Sequence, residues 1–191
     1  MGKNLETSKV IDELLRYTVA GGVVGAALLA PNSLKFTSKP LKIFLRTLDE
    51  REQQRKLKKL TTYMHSQGLV RGSYEHGLVI TAVGRKRLEK ADFENLKIAK
   101  PKRWDRKWRL IIFDIPESQR LARMALTSKL KSLDCQLLQQ SVWIHPYPCH
   151  EEVKIICINY CIEKWVTYIE TTHIDHEAKL KQRFKSILNF K

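Results

Sequence analysis

The feature that most constrains the fold is the segment "KWRLIIFDIPES", residues 107–118. Aromatic, aliphatic and β-branched residues follow one another from Trp108 to Ile115 and predict a strand that is buried on both faces. Asp114 lies near the end of this strand, just before Ile-Pro-Glu. A carboxylate in that position either caps the following turn or binds a ligand. Patterns in the rest of the sequence are needed to distinguish these two interpretations.

Helix and strand patterns alternate after this strand. Residues Gln119–Leu133 predict an amphipathic helix, and the residues expected on its inner face are Leu121, Ala125, Leu126, Leu130 and Leu133. The segment "QLLQQSVWIHP" predicts two short strands or one bent strand, Glu151–Trp165 a second helix, "VTYIET" a last strand and Ala178–Leu188 a closing helix. This order, βαββαβ, indicates a ferredoxin-like domain over residues 100–191, an antiparallel sheet with both helices on one face.

Residues 1–95 follow a different order. Two helices are predicted at 8–30 and 40–48, and a third begins after Asp49, which is a suitable N-cap residue. Two short strands joined by a turn at Tyr74–Gly77 come next, and then a further helix. Three helices followed by a two-stranded ribbon predict a winged helix-turn-helix domain, and the whole chain is therefore expected to be α+β.

The third helix of this domain has one apolar and one basic side. Leu57, Leu60 and Met64 recur at helical spacing and predict its buried side. In a winged helix-turn-helix the third helix enters the major groove, where basic side chains contact phosphates first and bases second. The residues predicted to contact DNA are Arg55, Lys56 and Lys59 on this helix, Arg71 on the ribbon, and Arg85, Lys86 and Arg87 on the next helix.

The charge of the chain favours a polyanionic partner. The sequence has 35 Lys and Arg against 20 Asp and Glu, a formal net charge of +15. Residues 51–109 hold 17 of these basic residues and 6 of the acidic ones, so most of the excess lies in the middle of the chain. Nucleic acid is the commonest polyanion that such a stretch binds. An anionic membrane surface and an ordinary solvated surface are the alternatives.

The cysteines and the apolar run at residues 19–30 indicate a cytoplasmic protein. Four cysteines without a Cys-x-x-Cys pair are typical of buried thiols in a reducing compartment. The run "VAGGVVGAALLA" has 12 residues, fewer than the roughly 20 needed to span a bilayer, and Pro31 follows it. We therefore expect no membrane partner and a small-residue helix that packs against protein.

Two segments resemble a known family. "KWRLIIFDIPESQR" and then "LQQSVWIHPYP" resemble the central domain of the phenylacetate-degradation repressor family, the PaaX-like regulators. That domain is itself similar to the small ferredoxin-like endonuclease of CRISPR spacer acquisition. The resemblance covers roughly residues 100–190. It implies a transcriptional repressor with an upstream DNA-binding domain, and it leaves the small-molecule effector unknown.

The resemblance to the nuclease gives Asp114 a second interpretation. The nuclease carries an aspartate at the matching position, and two protomers are proposed to hold one Mg²⁺ between their copies. Two carboxylates suffice for such a hard cation, which keeps several water ligands and can supply an activated water. Asp114 is thus a candidate metal ligand and catalytic residue, and Glu117 is a nearby contributor. The alternative is a strand-end aspartate that accepts hydrogen bonds from free backbone N–H groups of the turn.

Together these patterns predict a homodimeric, cytoplasmic, sequence-specific regulator of transcription that binds double-stranded DNA and acts as a repressor. Binding needs no cofactor in this interpretation. One alternative is an enzyme, namely an Mg²⁺-dependent endonuclease or a spacer-acquisition subunit of a CRISPR-type system that uses Asp114. Another is an architectural DNA-binding protein without catalytic activity.

Overall fold

The structure is a computed structural model that describes residues 2–21, 49–73 and 77–188. The chain divides into two compact units, Met1–Glu94 and Asn95–Lys191. Both units contain helices and antiparallel strands, so the chain is α+β as predicted. The predicted helix at 40–48 and most of the apolar run at 19–30 lie outside the described residues.

The first unit contains three described helices and one described strand pair. In chain order these are α1 (Gly2–Gly21), α2 (Glu50–Ser66), β1 (Val70–Ser73), β2 (Gly77–Ile80) and α3 (Ala82–Glu94). β1 and β2 are antiparallel and pair from Val70 opposite Ile80 to Ser73 opposite Gly77. This pairing confirms the predicted two-stranded ribbon.

The core of the first unit joins α1, α2 and the strand pair. The predicted apolar side of α2 is confirmed, because Leu57, Leu60 and Met64 are all buried. They belong to one cluster with α1 and the strands, whose other members are Val10, Ile11, Leu14, Leu15, Leu69, Val70, Leu78, Ile80 and Leu88. The predicted N-cap is also present, since the Asp49 side chain accepts a hydrogen bond from the backbone N–H of Glu52 at 2.8 Å.

The junction between β2 and α3 is tightly packed. The hydroxyl of Thr81 donates to the carbonyl oxygen of Gly68 at 2.6 Å and accepts from the backbone N–H of Gly84 at 3.1 Å. A side chain at Gly84 would overlap the carbonyl oxygen of Leu69. The end of α2, the strand pair and the start of α3 are therefore in direct contact at one point.

The second unit has the predicted βαββαβ order. Its elements are β3 (Trp108–Phe113), α4 (Arg120–Ser132), β4 (Gln136–Gln139), β5 (Val142–His145), α5 (His150–Tyr160), β6 (Val166–Thr171) and α6 (Glu177–Arg183). The sheet order is β4-β5-β3-β6, and every neighbouring pair is antiparallel. β3 and β4 run parallel with β5 between them, which is the split arrangement of a ferredoxin-like sheet.

The two faces of this sheet are covered differently. Ile111 pairs with Tyr168 of β6, and the Tyr168 ring lies 4.9 Å from the ring of His150 at the start of α5. This places α5 on the Ile111 face, and α4 contacts α5. The opposite face begins at Trp108, whose indole N–H donates to Glu177 of α6 at 3.2 Å. α6 therefore covers the Trp108 end of that second face, and its last residue, Arg183, is hydrogen-bonded to Gln136 and Leu137 of β4.

Three predictions for the helices need correction. Leu121 was expected on the inner face of α4, but its side chain is 82% exposed. The buried residues of α4 are Leu126 and Leu130, and Leu121 lies five residues before Leu126, about 140° around the helix from it. The inner face of α4 was therefore predicted to begin one turn too early in the sequence.

Helices α5 and α6 are shorter than predicted. α5 ends at Tyr160 because Cys161 adopts a left-handed conformation with φ of 54°, which terminates a helix. A separate short 3₁₀ helix, Glu163–Trp165, follows. α6 ends at Arg183 rather than at Leu188, although Phe184 and Leu188 are still buried. Among the described residues, no helix is long and apolar enough to cross a bilayer.

Candidate nucleic-acid interface

The outer side of α2 is exposed and basic. Arg55 and Lys59 lie opposite the buried leucines and are exposed, as predicted. Neither side chain forms an ion pair with any described residue of the chain. Lys56 is also exposed but lies toward the edge of this side and has an interaction of its own. The helix therefore presents at least two cations with no described carboxylate to neutralise them.

Other residues on the same side of α2 were not among the predicted DNA contacts. Arg51 and Lys58 are exposed and fall at the i−4 and i+3 positions relative to Arg55. Thr62 continues the row one turn further, and its hydroxyl donates to the carbonyl oxygen of Lys58 at 3.0 Å. The helical spacing from Arg51 to Thr62 was visible in the sequence and could have identified them. We call Arg51, Arg55, Lys58, Lys59 and Thr62 the α2 outer face.

The strand pair adds one basic residue next to α2. Arg71 lies directly opposite Val79, and both side chains are exposed, whereas Val70 and Ile80 are buried in the core. The strand pair therefore has one side in the core and one side in solvent, and Arg71 belongs to the solvent side.

The three predicted residues of α3 do not share one environment. Arg85 and Lys86 are exposed. Arg87, however, is turned toward α1, where its guanidinium donates to Asp12 at 2.9 Å and to the hydroxyl of Ser8 at 3.1 Å. Its cationic group is thus already engaged in an interhelical contact.

A second contact of the same kind joins these helices. Arg16 of α1 donates to Glu13 at 2.7 Å and also forms an ion pair with Asp92 of α3. The pKa of Arg16 is raised, chiefly by the hydrogen bond to Asp92. Arg16 and Arg87 therefore fix α1 against α3, on which Arg85 and Lys86 are exposed.

Asp114 lies in an exposed turn after β3. Its backbone N–H donates to the carbonyl oxygen of Trp165 at 3.0 Å. The neighbouring Glu117 accepts a hydrogen bond from Arg123 at 2.6 Å, and the guanidinium of Arg120 lies 3.8 Å away. Among the described residues, no group of three or more His, Cys, Asp or Glu side chains could hold a metal ion. The predicted Mg²⁺ site, which pairs two Asp114 side chains from two protomers, stays a prediction.

The comparisons with known proteins address the second unit. Residues 101–182 match the family model described as the PaaX protein central Cas2-like domain. The second unit is therefore similar to the central domain of PaaX proteins, and we call it the Cas2-like domain. The predicted resemblance is thereby confirmed for this part of the chain.

No curated protein matches the chain. A solved structure, the uncharacterized protein Rv0674 from Mycobacterium tuberculosis, aligns with 83% of this chain and 63% of its own, at 18% sequence identity and a TM-score of 0.41. The chain thus spans less than two thirds of that protein.

The Cas2-like domain contains a buried arginine at the first sheet strand. Arg109 is only 2% exposed, and its guanidinium donates to Asp105 at 2.7 Å and to the carbonyl oxygens of Lys107 and Pro146 at 2.9 and 2.8 Å. Glu170 of β6 accepts a further, longer bond at 3.4 Å. The hydrogen bond from Arg109 lowers the pKa of Asp105. This network fixes the start of β3 to the loop before it.

The polar groups near β5 of the Cas2-like domain are buried and inert. His145 is fully buried and its Nδ1 accepts from the backbone N–H of Tyr147 at 3.1 Å. Burial lowers the pKa of His145 to about 4, so the ring is neutral at physiological pH. Burial raises the pKa of Cys149 to about 12, which removes thiolate reactivity. The thiol of Cys157 is buried as predicted, whereas Cys161 is exposed.

Proposed function

We propose that the chain is a sequence-specific DNA-binding regulator of transcription, that residues 1–95 form a winged helix-turn-helix, and that two copies act as a homodimeric repressor. The observation that carries the proposal is the two-sided character of α2. One side is buried in the core of the unit, and the α2 outer face exposes arginines and lysines together with a threonine. Such a helix, followed by a strand pair with an exposed arginine, fits the recognition helix and wing of that fold.

The residue types of the α2 outer face suit a groove of DNA. Arginine forms bidentate hydrogen bonds to guanine, lysine contacts phosphates, and threonine contacts a base edge or the thymine methyl group. Because the buried side of α2 belongs to one apolar cluster with α1 and the strand pair, the helix presents these side chains in a fixed register. Base recognition depends on such a fixed register.

The Cas2-like domain supports a regulatory role and a dimer. The family that it resembles consists of transcriptional repressors, which is the reason for proposing repression. Its sheet also has an apolar area beyond α6, where Leu110, Ile112 and Val142 are half-buried and Ile169 is 42% exposed. These side chains share one face, since Leu110 pairs with Ile169 and Ile112 pairs with Val142. A second copy of the chain would cover this area.

A homodimer would present two copies of α2 to a palindromic site, with the half-site spacing set by the dimer axis.

The experiment that tests the proposed function is to select, from a random pool, the duplexes that the full chain retains. Fluorescence anisotropy then compares affinity for the selected duplex between wild type, an Arg55→Ala/Lys59→Ala variant and a Lys131→Ala/Lys154→Ala control. The control removes two exposed lysines of the Cas2-like domain and so matches the change in charge.

We expect a palindromic motif and a loss of at least about tenfold in affinity for the α2 variant, because each lost base or phosphate contact costs about 1–3 kcal/mol. The control should stay within twofold of wild type. Equal losses in both variants, with no motif enriched, would instead favour an architectural binder that recognises only DNA charge.

A further inference from the structure

Residues 97–108 have a basic, proline-containing sequence that predicts a linker, but residues 97–107 form a basic loop held on the Cas2-like domain. This segment carries six Lys or Arg residues and one Asp. We propose that three of them, Lys102, Arg103 and Arg106, form a second contact surface for the phosphate backbone of double-stranded DNA, separate from α2. We call these three residues the loop cations. The proposal rests on the proposed DNA-binding function and adds a contact on the second unit.

The loop is held in place by two anchors. The indole N–H of Trp104 donates to the carbonyl oxygens of Pro146 at 2.8 Å and Lys107 at 3.0 Å. Asp105 accepts from the backbone N–H of Lys107 at 3.1 Å and from the buried Arg109. These bonds tie the loop to the sheet, so the side chains between and beside the anchors project from a fixed backbone.

The charge of the loop is not neutralised locally. Its only carboxylate, Asp105, is engaged with Arg109. Lys102, Arg103 and Arg106 are exposed, and no described residue forms an ion pair with any of them. Two of the other three basic residues of the loop differ in this respect, because Lys100 pairs with Asp134 at 3.3 Å and Lys107 with Glu170 at 3.6 Å. The third, Lys97, is exposed and lies seven residues before the Trp104 anchor.

Arg106 has an unusual backbone conformation. Its φ is 62°, in the left-handed region that costs an ordinary L-residue about 1–2 kcal/mol. The bonds of the two anchors, from Trp104 to Pro146 and from the Lys107 N–H to Asp105, lie on either side of Arg106 and hold this conformation. This conformation allows the Asp105 side chain to contact the buried guanidinium of Arg109 while the Arg106 side chain stays exposed to solvent.

The chemistry favours a nucleic-acid backbone over a membrane surface. A basic segment that lies on a bilayer also inserts apolar or aromatic side chains below the headgroups. The aromatic residue of this loop, Trp104, is turned inward: its ring packs edge-on against Trp108 at 5.0 Å and beneath the ammonium of Lys181 at 5.4 Å. Three exposed cations without an exposed apolar anchor are suited to phosphates in solution, where binding releases counterions.

The test measures the salt dependence of binding of the full chain to a mixed-sequence duplex. The loop variant is Lys102→Ala/Arg103→Ala/Arg106→Ala, and the matched control is Arg120→Ala/Lys131→Ala/Lys154→Ala on α4 and α5. Each phosphate contact contributes about 0.9 to the slope of log affinity against log salt, so three contacts contribute about 2.7. Between 50 and 200 mM salt the loop variant should therefore lose about 40-fold less affinity than wild type, and the control should follow wild type.

Two further arms separate the outcomes. The Arg55→Ala/Lys59→Ala variant is measured on the same duplex: if it behaves like wild type while the loop variant loses slope, the loop contact stands and the proposed role of α2 fails. A loop variant with an unchanged slope and an unchanged unfolding midpoint overturns the loop contact. Vesicles containing an anionic phospholipid form the last arm. Loss of vesicle binding in the loop variant, with duplex binding retained, would overturn the proposal in favour of a membrane surface.

Discussion

The two units use arginine in opposite ways. In the Cas2-like domain Arg109 is inside the protein, where two carboxylates and two carbonyl oxygens accept its hydrogen bonds. In the first unit Arg16 and Arg87 are partly exposed and bridge two helices at the surface. The same side chain therefore fixes an internal strand in one unit and a helix pair in the other.

The basic helices α2 and α4 differ in whether their cations have carboxylate partners. On α4, Arg120 and Arg123 both lie within ion-pair distance of Glu117. On α2, Arg55 and Lys59 have no carboxylate partner among the described residues. The two helices are similarly basic in sequence, so charge content alone does not predict an interface. What matters is whether a carboxylate of the same chain is within reach, because such a partner competes with phosphate.

The largest expected effect comes from removing the internal arginine. Arg109→Met should lower the free energy of unfolding by about 3 kcal/mol, because breaking a buried ion pair leaves its acceptors without donors. This value is at the lower end of the usual cost of breaking a buried ion pair, because Asp105 and Glu170 keep some contact with water. Urea unfolding followed by tryptophan fluorescence measures the change. Arg103→Met is the matched control and should change stability by less than about 0.5 kcal/mol.

A second effect of burial concerns pH. Burial lowers the pKa of His145 from 6.5 to about 4, so the unfolded chain binds more protons between those values. The free energy of unfolding should therefore fall as the pH is lowered through this window, by about 2 kcal/mol at pH 5. A His145→Gln variant should show a flatter stability profile from pH 7 to pH 5. If His150→Gln, an exposed control, flattened it equally, the assignment to His145 would be wrong.

A smaller effect is expected at the surface bridge of the first unit. Arg87→Met removes the bonds to Asp12 and Ser8 and should cost about 1 kcal/mol, because the pair is only partly buried. Duplex affinity should fall less than for Arg85→Met, whose side chain is exposed. A larger loss of affinity with Arg87→Met, at unchanged stability, would show that Arg87 contacts DNA directly, as the sequence had suggested.

The smallest effect should follow Asp114→Asn. If Asp114 only shapes the turn after β3, the variant should bind duplex within twofold of wild type. The measurement pairs this affinity with a cleavage assay on labelled DNA and RNA in Mg²⁺ or Mn²⁺. Metal-dependent cleavage by wild type that the variant lacks would make Asp114 catalytic and would replace the regulator by the nuclease alternative.

Local patterns in the sequence predicted most of the regular structure. The stripe of Leu57, Leu60 and Met64 and the cap at Asp49 depend on contacts within a few residues, and both are confirmed. The order of the sheet elements followed from the alternation of periodicities, although Leu121 was assigned to the wrong side of α4. Helix ends were less predictable. Helix α5 ends at the left-handed Cys161, a position where glycine is the usual sequence signal.

The contacts that define the candidate surfaces depend on distant residues and could not be predicted in the same way. The bond from Trp104 to Pro146 spans 42 positions, and the pair of Arg87 with Asp12 spans 75. Composition shows that both segments are basic. It does not show that one arginine is engaged by another helix, or that a supposed linker is fastened to a sheet.

The junction at Thr81 and Gly84 has a mechanical consequence. Because the first turn of α3 touches the backbone of Leu69 with no room for a methyl group, the strand pair cannot tilt without displacing α3 as well. α3 is in turn tied to α1 through Arg16 and Arg87. A surface built this way is ordered before any partner arrives, so association should lose little conformational entropy and should show a small change in heat capacity.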